Sequence, residues 1–158
     1  MSQVLLSNTA TTQITDEDIR RPVDGFVAAV NAGDMDAAIA YLADDAVHHG
    51  RISNYRPEGV KVLFNLLRGV LPDLRLDIRD VRIEGNRVIS RVVGSGTHTG
   101  SYLGKAATGR PIVWETVDIA TVAPGGNGSS STIVERYWDV FADPYAWNEI
   151  GFIPAIMC

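Results

Sequence analysis

The sequence predicts an α+β fold, with helices packed against a curled antiparallel sheet. Three observations point there. Apolar residues recur at helical spacing as far as Val70. From Leu74 onward the period changes to two, with turn residues between the segments. The chain has 158 residues, 46% apolar and 21% charged, which suits one domain with a sizeable core. Residues 1 to 14 read as a mobile arm, and the domain runs from 15 to 158.

The first helix opens at Thr15-Asp16, with acids at 16, 17 and 18 suited to a helix N-terminus. Ile19, Val23, Phe26, Val27 and Val30 form its apolar stripe, and Asn31-Ala32-Gly33 ends it. Pro22 lies inside this pattern and suggests a restart there. Asp34 caps a short second helix that turns Met35, Ala38, Ile39 and Leu42 inward. Ala46 to His49 reads as a short strand, and Arg51 to Tyr55 as loop. A third helix starts at Arg56-Pro57-Glu58, buries Val60, Leu63, Leu66, Leu67 and Val70, and stops before Pro72.

Leu74, Leu76 and Ile78, then Val81 and Ile83, alternate up to a Gly85-Asn86 turn. The next strand, Arg87 to Thr99, sets small residues such as Ser90, Gly94 and Gly96 on one side with His98. That leaves either a bend or room for something. Ile112 to Val122 follows, with Ile112, Trp114, Thr116 and Asp118 on one face. APGGNGSSS at 123 to 131 is a hairpin loop. In the last strand Ile133, Glu135, Tyr137, Asp139 and Phe141 share one face, and Val134, Arg136, Trp138 and Val140 the other. Asp143-Pro144 then opens a short helix that Gly151 ends.

Composition excludes several functions. A net charge of −5 with no basic patch argues against nucleic acid. The single cysteine, Cys158, allows neither a disulfide framework nor a zinc cluster. No segment has the length and hydrophobicity of a membrane span. The N-terminus lacks the pattern of a signal peptide, so a cytoplasmic location is expected. GKAATGR at 104 to 110 departs from phosphate-loop spacing, so nucleotide binding is a poor match, and no paired metal-ligand motif occurs, so no metal is expected.

The polar residues set within strands are His98, Asp118 and Asp139. A histidine and a carboxylate in a dry pocket make a proton-transfer pair. Each also has a bland reading. His98 suits a turn edge, and Arg87, Arg91 or Arg136 can pair with Asp118. Asp139 can equally be a satisfied carboxylate. Of His48 and His49, which point to opposite sides of an extended strand, His49 is favoured for the pocket. Trp114, Tyr137, Trp138 and Phe141 are core or cavity wall.

Four stretches carry a family resemblance: VNAGDMDAAIAYLADDAVHH, LPDLRLDIRDVRIEGNRV, GSGTHTGSYLGKAATGRPIVW and IVERYWDVFADPYAWNEIG. Across Asp16 to Gly151 the chain resembles the SnoaL-like polyketide cyclases. The resemblance implies a cone-shaped α+β barrel of three or four helices, without metal or cofactor. It also implies association as a homodimer or higher oligomer through the outer sheet face, near Val134 and Val140. Matched by position, the acid/base of an intramolecular aldol closure falls on Asp139. His98 and Asp118 then orient a polycyclic substrate. His49, Trp114, Thr116, Tyr137, Trp138 and Phe141 contact it. Thr116 and Asp118 stand where cyclases closing the fourth anthracycline ring carry glutamine and histidine. The departure opens the reading of a hydroxylase that uses oxygen and an external reductant; a third reading, of a different class, is a small-molecule binding module without catalysis.

Overall fold

The computed structural model describes residues 14–50, 53–102, 104–125 and 130–140, with the side chains of Asp139 and Val140 excepted. Phe141, the expected helix from Asp143 to Gly151 and residues 1–13 of the N-terminal arm lie outside the described residues. The helices are α1 (Asp16–Ala32), α2 (Met35–Ile39) and α3 (Pro57–Val70). The strands are β1 (Leu42–His49), β2 (Asn54–Tyr55), β3 (Arg75–Glu84), β4 (Arg87–Thr97), β5 (Pro111–Ala123) and β6 (Thr132–Val140). No helix among the described residues is long and apolar enough to cross a membrane.

Local chemistry accounts for the helix ends. Thr15 and Asp18 satisfy each other's backbone N–H groups in a capping box at the start of α1. That cap starts the helix seven residues before Pro22, and α1 runs through the proline instead of restarting there. Gly33 ends α1 with φ +76°, a conformation that costs glycine least. Asp34 accepts from the Ala37 N–H and caps α2. In α3 the inward residues are Val60, Phe64, Leu67 and Val70, while Leu66 is exposed. Phe64 meets Phe26 of α1 edge to face at 5.7 Å, joining the two helices over the sheet.

The strands form one six-stranded sheet in the order β2-β1-β6-β5-β4-β3. It is mixed rather than antiparallel throughout, because β1 and β6 run parallel. It has edges at β2 and β3, so it curls without closing into the expected barrel. β1 is longer than the segment from Ala46 to His49, and part of the expected loop is the short strand β2.

Along β4 and β5 the pairing is one to one from Arg87↔Thr121 to Thr97↔Pro111. The inner row of β5 is therefore Ile112, Trp114, Thr116, Asp118, Ala120 and Val122, as its alternation predicts. β6 behaves differently. Thr121 pairs with Glu135 but Val122 with Ile133, so Val134 is an extra residue in the ladder. This shift corrects the expected faces. Ile133 and Arg136 are both buried, although strict alternation sets them on opposite sides.

The small residues of β4 do not leave an open space. A side chain on Gly94 would overlap the Trp114 indole, and one on Gly96 would come within 2.9 Å of Leu71. The room beside β4 is filled by Trp114 from β5 and by Leu71 after α3.

Candidate functional site

Among the described residues, a polar cluster lies on the inner face at the β1–β6–β5 junction. Asp118 sits mid-strand on β5, where its neighbours Thr116 and Ala120 are also buried. Arg136 of β6 pairs with Ala120 on one side and with His48 of β1 on the other. Its Nη2 donates to Asp118 Oδ2 in a buried ion pair. The guanidinium carbon also lies 4.7 Å from the centre of the Phe26 ring, a cation–π contact from α1. An aromatic floor and a carboxylate thus offset the cost of removing the guanidinium from water.

His48 completes the cluster. It is buried, with Trp138 and Tyr55 at ring-centre distances of 5.7 and 6.2 Å. Burial, helped by the positive charges of Arg136 and His49, pushes its pKa down to about 3. The imidazole is therefore neutral at ordinary pH. Beside it is a void of about 10 Å³, lined by His48, Arg136, Tyr55, Ala46, Val60 and Ile133 among others. That is roughly the space one water needs.

The expectation that His49 rather than His48 faces the interior is reversed. The parallel register aligns His48 with the inward Arg136 and His49 with Tyr137 of the opposite face. His49 stacks on Tyr137 at 4.3 Å. Its Nε2 lies 2.9 Å from Glu135 Oε1, and its Nδ1 lies 3.2 Å from Asn54 Oδ1. Tyr137 is 48% exposed and donates to Glu135 at 3.2 Å. The hydrogen bond from His49 holds the Glu135 carboxyl below its ordinary range. His49 and Tyr137 thus belong to a surface cluster and do not line the interior.

His98 is fully buried at the far end of β4. Its Nδ1 accepts from the Thr108 N–H at 3.2 Å and lies 2.9 Å from the Thr108 hydroxyl. This assigns the ring proton to Nε2. Asp118 pairs with Ser90, and His98 follows Ser90 by eight residues, a contour of roughly 26 Å. The two do not form the expected pair. Trp114 and Thr116 lie between them on the inner row, both buried. Trp138 pairs with Asp118 and is half-buried. The register sets Asp139 opposite Val117, one position out of the Asp118–Trp138 row. Its side chain, like Phe141, lies outside the described residues.

Two further depressions, of about 440 and 380 Å³, lie along the helices and contain none of the predicted site residues. Among the described residues no group of three histidine, cysteine or acidic side chains is arranged to hold a metal. The sequence offered His48 only as the less favoured of two adjacent histidines, and Arg136 only as one of three partners for Asp118.

These features define an α+β protein whose sheet encloses a buried acid, a guanidinium and a neutral imidazole among aromatic rings. The family model for SnoaL-like polyketide cyclases matches residues 21–139, and the chain belongs to that family. No curated protein matches it. Among solved structures it is similar to AclR of Streptomyces galilaeus, provisionally described as a hydroxylase. Identity is 23%, coverage is 89% of each chain, and the TM-score is 0.72. IdmH of Streptomyces antibioticus, provisionally described as a polyketide cyclase, is 23% identical over 85% of this chain and 99% of its own, with a TM-score of 0.68. TsrD of Streptomyces laurentii is 21% identical over 89% of this chain and all of its own, with a TM-score of 0.70. At these identities the likeness establishes the fold.

Proposed function

We propose that the protein is a cofactor-independent tailoring enzyme that closes a ring of an aromatic polyketide by intramolecular aldol chemistry. The observation that carries this reading is the buried Asp118–Arg136 pair with neutral His48, set among aromatic rings on the inner face. A carboxylate takes the proton of an enolisable substrate, the enolate carbon attacks a carbonyl, and the resulting alkoxide is protonated. In this reading Arg136 stabilises the negative charge developing on the substrate oxygen. Family membership supports the substrate class.

Two carboxylates are offered for the proton transfer. Asp139 is the acid/base designated by the family pattern. Asp118 is the acid on the inner row, where Arg136 fixes its position and one oxygen remains free. His98 is offered as a separate contact at the far end of the cavity wall.

A second reading is hydroxylation on the same scaffold with oxygen and an external reductant. Thr116 and Asp118 in place of glutamine and histidine favour it, as does the likeness to AclR. Mass spectrometry of the product from a tricyclic polyketide ester separates the two. An isomer of unchanged mass, formed without oxygen, is expected. A product heavier by one oxygen atom, formed only with oxygen and reductant, would replace ring closure by hydroxylation.

A further inference from the structure

The void of about 10 Å³ beside His48 opens where the β1–β6 ladder is interrupted. Pairing passes from Leu42↔Ile133 to Val47↔Glu135, so residues 43–46 of β1 stand opposite Val134 alone. Leu42, Ala46, Val47 and Ile133, from either side of this interruption, line the void together with His48 and Arg136. Two buried polar atoms of these lining residues, His48 Nε2 and Arg136 Nη1, have no hydrogen-bond partner among the described residues. Both residues are more than nine-tenths buried.

The two atoms are complementary. Arg136 Nη2 is taken by Asp118, which does not line the void. Nη1 is the terminal nitrogen left, and it can only donate. His48 is neutral, so Nε2 accepts once the ring proton sits on Nδ1. One water meets both, because its oxygen accepts from Nη1 and one of its protons goes to Nε2. The void has roughly the room of one water, and an occupant that fills it touches every wall. A dry void would leave a buried donor and a buried acceptor unmet, which native interiors avoid. A cation would stand against the guanidinium. An anion would find that charge already neutralised by Asp118, with mostly apolar walls on the other sides.

We propose that one buried water is a built-in part of this fold, bound in the void between His48 and Arg136, and that it fixes His48 in the tautomer protonated on Nδ1. The water joins β1 to β6 where direct strand pairing lapses. It also ties the orientation of the imidazole to Arg136 and, through Arg136, to Asp118. The inference does not depend on the ring-closure reading, because it is read in the protein without substrate.

The test uses the full chain without ligand. A high-resolution crystal structure should show one water within hydrogen-bond distance of both His48 Nε2 and Arg136 Nη1. In solution at about pH 7, nitrogen NMR should show His48 protonated on Nδ1 and bare on Nε2. The methyl protons of Ala46 and Val60, which line the void, should cross-relax with a water that stays bound for longer than the protein tumbles. His48→Phe keeps a ring but removes the acceptor, and with an unchanged far-UV spectrum it should lose those cross-peaks. The wild-type measurements stand whether or not that variant folds. A dry void, a water bonded to only one of the two atoms, His48 protonated on Nε2, or cross-peaks that persist in the folded variant would each overturn the proposal.

Discussion

Arg136 holds Asp118 across the β5–β6 ladder while its guanidinium rests on the ring of Phe26. Both charges are buried, so each depends on the other for its solvation. Asp118→Ala alone should therefore be costly, since it leaves a buried guanidinium without a counter-charge. The expected loss is about 3–5 kcal/mol in urea unfolding. Replacing both residues, Asp118→Leu with Arg136→Met, should restore stability to within about 1–2 kcal/mol of wild type or exceed it. A double-variant loss equal to the sum of the two single-variant losses would show that the two side chains act independently.

His48 should resist protonation. Its pKa of about 3 in the folded protein lies below the ordinary 6.5. Between those values the unfolded chain binds a proton that the folded chain does not. The stability contribution is thus complete above pH 6.5 and is lost as pH falls toward 3, by about 1.4 kcal/mol per pH unit inside the window. The His48 ring resonances should not titrate between pH 8 and 5. In unfolding measurements at pH 7.5 and 5, His48→Leu should flatten the pH dependence. A His48 midpoint near 6.5 would contradict the buried placement.

The inner row of β5 was legible in the sequence because its alternation is unbroken and its register with β4 is one to one. Trp114, Thr116 and Asp118 accordingly lie where the pattern set them. β6 was not legible in the same way. The extra residue at Val134 exchanges the faces of the strand, and no local feature of TIVERYWDV marks it. The choice between His48 and His49 rested on a parallel pairing between β1 and β6, which lie far apart in the chain. Spacing within AVHH cannot supply that. Gly94 and Gly96 suggested a bend or room beside β4, and that room is filled by Trp114 and Leu71.

Gly94→Ala should test that packing. The added methyl overlaps the Trp114 indole, and overpacking of this kind costs roughly 1–3 kcal/mol. Combining it with Trp114→Leu should recover part of the loss, since the smaller side chain frees the space. A stable Gly94→Ala protein with an unchanged tryptophan spectrum would mean that the indole does not lie against β4.

His49 and Tyr137 stack on the outer face and share Glu135. His49→Ala and Tyr137→Phe should therefore leave turnover of a polyketide ester within about twofold of wild type. A hundredfold loss in either would move the site to that face.

Because the proposed chemistry rests on the inner cluster, the most direct measurement is single-turnover ring closure by Asp118→Asn and Asp139→Asn beside wild type, each checked by far-UV circular dichroism. Folded Asp118→Asn should slow closure at least a hundredfold, and the Asp139 variant shows whether that residue shares the proton transfer. A folded Asp118→Asn protein that closes the ring at the wild-type rate would contradict that chemistry.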